Sequence, residues 1–129
     1  MEIKIKDANG QTNLSISIIG KESDDEWLVC MADFQYDGFK ASVKFSAMLG
    51  DFCAFSEQLE PFYKSLRGQA KFHSIEDNVY FELSTDGLGH VNIEGYLRHN
   101  NYEVKTSFLI YSDQTFLPET LHACRQICP

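Results

Sequence analysis

Seven consecutive residues, Phe39-Lys40-Ala41-Ser42-Val43-Lys44-Phe45, put an apolar side chain at every second position and a small or charged one between, and nothing else constrains the fold as much. Side chains alternate sides along a strand, whereas on a helix they return to one face only after about 3.6 residues. The run is therefore a strand with one face on a core and the other in water. The same period recurs in Val79, Phe81 and Leu83, in Val91, Ile93, Gly95 and Leu97, and in Tyr102, Val104, Thr106, Phe108 and Ile110. Turn signals separate these runs: Asn9-Gly10, Asp37-Gly38, Asp77-Asn78, Asp86-Gly87 and His99-Asn100-Asn101. Such residues tolerate positive φ or hydrogen-bond their own backbone, so antiparallel hairpins follow, most clearly at Asp37-Gly38.

Two segments break the alternation. From about Ser46 to Leu66 the residues Leu49, Phe52, Phe55, Leu59, Phe62 and Leu66 recur at three- and four-residue spacing, the mark of an amphipathic helix. Ser46 is its expected N-cap and Gly68 its stop, and Pro61 is expected to kink or split it. A shorter helix is expected from about Thr115 to Ile127, with Pro118 in its first turn and Leu117, Leu121, Cys124 and Cys128 on one face.

The residues Trp27 to Phe45 overlay His90 to Phe108 at a constant offset of 63, which sets Asp37 on Asn100 and Phe45 on Phe108. The helices need an offset of 62, which brings Leu59 onto Leu121. The order is then four strands, a helix, four strands, a helix, with a ββββα duplication as one explanation. Segregated strands and helices of this kind predict an α+β fold, a large twisted antiparallel sheet of about eight strands with two helices on one face. At 129 residues with 43% hydrophobic content, residues 1–129 are expected to form a single domain.

The start, Met1-Glu2-Ile3-Lys4-Ile5-Lys6, alternates charged and apolar residues and lacks the apolar core of a secretory signal, so a cytoplasmic location is expected. No apolar run approaches the roughly 18 residues of a membrane span. In a reducing compartment the four cysteines, Cys30, Cys53, Cys124 and Cys128, are expected to be free and mostly buried. A formal charge of −8 repels phosphate, which argues against a nucleic-acid ligand, and would steer in a basic protein partner.

No local catalytic signature is present: no phosphate-binding glycine loop, no Gly-x-Ser-x-Gly, no Cys-x-x-Cys and no His-Glu-x-x-His. No catalytic residue, metal ligand or cofactor is assigned. His73, His90, His99 and His122 read as ordinary surface residues, and Cys124 and Cys128, four apart, read as small apolar packing residues before they read as metal thiolates. Two features suit a protein interface. The run Glu22-Ser23-Asp24-Asp25-Glu26 puts four carboxylates into five residues, and Tyr36 and Tyr96 lie near hairpin tips where aromatic rings can anchor a partner. The protein-binding candidates are therefore Glu22, Asp24, Asp25, Glu26, Tyr36 and Tyr96. The alternative is a small-ligand carrier with a cavity between sheet and helices, lined by residues such as Phe52, Phe55 and Leu121.

The strand and helix from Val43-Lys44-Phe45 to Phe52-Cys53-Ala54-Phe55, then Leu66-Arg67-Gly68-Gln69-Ala70, Leu88-Gly89-His90-Val91 and Phe108 through Leu117 with its Asp113-Gln114 step, resemble the WapI-type immunity proteins of bacterial polymorphic and contact-dependent toxin systems. The resemblance implies a non-catalytic protein that binds and neutralises the C-terminal effector domain of a toxin made beside it. It transfers no binding residue, and Gly68, Gly89, Asp113 and Gln114 are better explained as turn and helix-start residues.

Overall fold

The computed structural model describes residues 1–22 and 26–129. The alternating runs form β1 (Glu2–Lys6), β2 (Thr12–Lys21), β3 (Trp27–Tyr36) and β4 (Phe39–Met48), then β5 (Ala70–His73), β6 (Val79–Thr85), β7 (His90–Arg98) and β8 (Lys105–Asp113). Helix α1 (Leu49–Ser65) follows β4, and a 3-10 turn at Gln114–Phe116 leads from β8 into helix α2 (Leu117–Ile127). All pairing is antiparallel, and the strands divide into two sheets of four, β1-β2-β3-β4 and β5-β6-β7-β8, where the sequence suggested one large sheet. The break falls at α1.

Alternation does the burying. Leu28, Cys30, Ala32 and Phe34 of β3, Val43, Phe45 and Ala47 of β4, and Val79, Phe81 and Leu83 of β6 all point inward, and one apolar cluster draws on both sheets and both helices. Its centre is aromatic: Phe52 and Phe55 of α1 lie 5.1 and 6.1 Å from the Phe72 ring, Phe81 stacks on Phe72 at 5.3 Å, and Phe34 of β3 stacks on Phe108 of β8 at 4.9 Å. Phe52 and Phe55, expected to line a ligand cavity, are fully buried, and Leu121 is 6% exposed.

Each helix leans on the other unit's first strand. α1 packs beside β5, and α2 packs beside β1, where Thr120 Oγ1 donates to the Lys4 carbonyl (3.0 Å) and Lys6 pairs with Glu119 (2.9 Å). Further cross-links join the sheets. Ala8 N–H donates to the Tyr111 carbonyl (2.8 Å), Ser112 Oγ to the Lys6 carbonyl (2.5 Å), and Asn100 Nδ2 to the Lys44 carbonyl (3.0 Å).

The N-cap of α1 falls two residues later than expected, because Ser46 belongs to β4 and the N-cap is Met48. The Asp51 carboxylate accepts from Met48 N–H (2.9 Å) and from Ile75 N–H (3.2 Å), fixing the helix start to the β5–β6 turn. Pro61 does not split the helix. It sits exposed, and the carbonyl it leaves unbonded is that of Glu57, also exposed, where water can satisfy it. Leu66 ends the helix with φ 52°, and Gly68 follows with φ 79°.

The two units repeat ββββα, but their second hairpins differ. Trp27 pairs with Met48 and His90 with Asp113, so an offset of 63 on one strand becomes 65 on the other. The two-residue turn at Asp37-Gly38 is replaced by a longer connection from His99 to Val104. A slip of two keeps the inward phase, so Phe45 corresponds to Ile110 and not to Phe108.

Two of the four cysteines are not free. Cys53 of α1 is bonded to Cys128, just past α2, with their Cα atoms 5.3 Å apart. They are 75 residues apart in sequence, and only the side-by-side packing of the two helices brings them together. Cys30 and Cys124 are buried thiols, and burial pushes both up to about 12.

Candidate protein-binding surface

The four described candidates, Glu22, Glu26, Tyr36 and Tyr96, occupy three separate places. Glu22 and Glu26 flank one end of β3, and Asp24 and Asp25 lie outside the described residues. Tyr36 ends the same strand, which over ten residues spans about 30 Å. Tyr96 belongs to the other sheet.

Tyr36 is 56% exposed and pairs across the turn with Phe39, 76% exposed, so the β3–β4 tip carries two open rings. Tyr96 is half-buried on the outer face of β7. Its hydroxyl donates to Asp77, its ring stacks on Tyr80 at 5.5 Å, and Lys105 Nζ and the Arg98 guanidinium stand 4.3 and 5.3 Å from its centre. Burial and the Asp77 carboxylate raise its pKa, and the same hydrogen bond lowers that of Asp77. Next to it, Tyr80 donates to Glu82 (2.7 Å), which pushes Tyr80 up to about 12. The hydroxyls of Tyr80 and Tyr96 are thus already engaged within the sheet.

The acidic end is more open and has a neighbour the sequence did not reveal. Glu22 N–H donates to the Trp27 carbonyl (3.1 Å), Ser46 Oγ to the Glu22 carboxylate (2.9 Å), and Leu49 N–H to the Glu26 carbonyl (3.0 Å). The ends of the β2–β3 connection are therefore tied to the β4–α1 junction. Beside them β2 bulges: Ile18 pairs with Cys30 and Gly20 with Val29, which leaves Ile19 without a partner. A bulge re-aims the extra side chain, and Ile19 is 54% exposed. Ile19, Met1, Ile18, Leu28, Leu49 and Ile127 line a groove of about 410 Å³, with Gly20 and Lys21 along its rim. The adjacent pair Ile18-Ile19, which breaks the alternation of β2, was the available signal.

The other candidates for chemistry are dispersed. Cys128 is bonded to Cys53, so Cys124 and Cys128 are not a pair of thiols. His73 and His90 are exposed and each holds the carboxylate of a nearby residue, Asp77 (2.8 Å) and Asp86 (2.6 Å). Among the described residues, no three His, Cys, Asp or Glu side chains converge as a metal site, and no helix is long and apolar enough to cross a membrane.

The sequence model of the immunity protein WapI-like family matches residues 4–129, nearly the whole chain, and the chain belongs to that family. No curated protein and no solved structure matches it. Membership fits a role in toxin neutralisation.

Proposed function

We propose that this chain is a non-catalytic immunity protein that acts in the cytoplasm as a single domain, binding the effector domain of a cognate bacterial toxin and blocking it. The family match across residues 4–129 carries the reading. The formal charge of −8 supports a basic partner and disfavours nucleic acid or an anionic membrane surface. The acidic run Glu22, Asp24, Asp25 and Glu26 is its proposed docking patch, with Tyr36 and Tyr96 as secondary contacts. No cofactor or metal is required.

The test is co-expression with the effector domain encoded beside it, followed by size-exclusion chromatography and binding kinetics over a salt series. The expected result is a one-to-one complex whose association slows as ionic strength rises, since exposed charges are screened beyond about 8 Å at physiological salt. Changing Glu22, Asp24, Asp25 and Glu26 together to Ser should weaken it. Failure of the wild-type chain to form a complex at low salt would refute the proposal.

A further inference from the structure

The apolar groove and the exposed residues Glu22 and Glu26 lie at one edge of the fold. Single exposed apolar residues are normal on a protein surface, but here Met1 (69% exposed), Ile19 (54%) and Leu49 (36%) gather around one hollow. Its floor comes from Leu28, Ile18 and Ile127, contributed by strands and by the end of α2, so its shape is held by the core. Its volume of about 410 Å³ is within the range of preformed binding sites, about 300–1,000 Å³. Ile19 reaches it only because β2 gives up ladder pairing at that residue. The Glu26 carbonyl is held by the backbone N–H of Leu49, itself part of the lining, so the exposed carboxylates of Glu22 and Glu26 belong to the groove's surroundings. In sequence the connection between them brings the count to four carboxylates in five residues, against the one cation Lys21 in the lining.

We propose that this groove seats a large apolar side chain from a basic segment of the toxin domain, while Lys or Arg residues flanking that side chain meet the carboxylates of Glu22 and Glu26; the proposal rests on the immunity reading above. An apolar centre within a charged rim is the usual anatomy of a protein interface. The charge decides between occupants. In a two-fold dimer of this chain the same patch would face itself and set acidic rim against acidic rim. An anionic lipid surface would be repelled in the same way. A cationic segment gains from both parts of the site, and the two parts divide the kinetics. The rim steers encounter, and the groove sets how long the complex lasts.

Trp27 follows Glu26 directly and is the sole tryptophan, so its fluorescence reports on this edge. The probe is the purified, catalytically disarmed effector domain encoded beside the chain. Ile19→Ser and Leu49→Ala should each speed dissociation by about tenfold with little change in association, the size of a hot-spot truncation. Glu22→Ser with Glu26→Ser should slow association severalfold at low salt and lose that effect at high salt. Ile19 lies outside the strand ladder, so its replacement should leave thermal unfolding unchanged, which is checked first. Wild-type-like binding by both groove variants, with wild type binding normally, would overturn this inference and leave the immunity reading in place. No binding by wild type would overturn both. A wild-type dimer that Ile19→Ser dissociates would give the groove to a second copy and overturn the inference alone.

Discussion

The bond between Cys53 and Cys128 makes the sharpest energetic prediction. It closes a loop spanning 75 residues that contains most of α1, all of β5 to β8 and all of α2. Restraining the unfolded chain over such a loop removes about 15 cal/mol/K of closure entropy, or about 4.5 kcal/mol at 25 °C. The packing between the helices does not depend on the bond. Leu59, Phe62, Leu121 and Cys124 are buried regardless, and the Arg125–Glu60 ion pair (2.6 Å) is exposed enough to contribute little. Reduction should therefore lower stability without changing the fold. With a urea slope of about 2 kcal/mol/M, the midpoint should drop by about 2 M. The assay is urea unfolding of oxidised and reduced protein, followed by Trp27 fluorescence and far-ultraviolet circular dichroism, with Cys53→Ala/Cys128→Ala as the permanent form of the reduced state. Equal midpoints would refute the reasoning. So would thiol titration of the denatured, unreduced protein that returned four thiols in place of the two expected from Cys30 and Cys124.

Gly95→Ala should destabilise by about 1–3 kcal/mol, as overpacking does, because a Cβ there would fall on the Tyr80 carbonyl oxygen and within 2.7 Å of Phe81 Cα. Thermal unfolding checks this, and an unchanged midpoint would mean β6 and β7 can separate at no cost. His90 should titrate above its ordinary 6.5, because Asp86 hydrogen-bonds and charge-stabilises its protonated ring, while Asp86 is held below its ordinary 3.8 by the same contact. The stabilisation from His90 is complete below its unfolded pKa and fades as pH rises through the raised folded value. That from Asp86 is present above 3.8 and fades as pH falls through the lowered folded value. Proton NMR of His90 with and without Asp86→Asn tests both, and a His90 titration that ignores the substitution would contradict the pairing.

The strands and helices were legible because one face of each is buried, and burial writes its period into residues such as Val43, Phe45, Phe81 and Leu83. Their division into two sheets was not, because alternation specifies a face and says nothing about which strand lies alongside. The start of α1 was misread for a local reason: Ser46 has the residue type of a cap, but its hydroxyl goes to Glu22, 24 residues away, and Asp51 secures the helix from inside. The same long-range blindness hid the disulfide. At the surface, the acidic run could be read directly, while the groove beside it depended on a bulge that a pair of isoleucines only hints at.

The exchange of helices between the two units has a mechanical side. Along the chain the units lie in series, one after the other. In the folded molecule they are coupled in parallel, since β1 is gripped by α2 and β5 by α1. Tension applied at residues 1 and 129 would first meet the contact between β1 and α2. Once that sheared, the Cys53–Cys128 bond would shield everything between those cysteines from the load. With the bond intact, the segment from residue 1 to 53 could extend to about 190 Å, where the whole chain could reach about 460 Å. The second sheet would come through such a pull still folded.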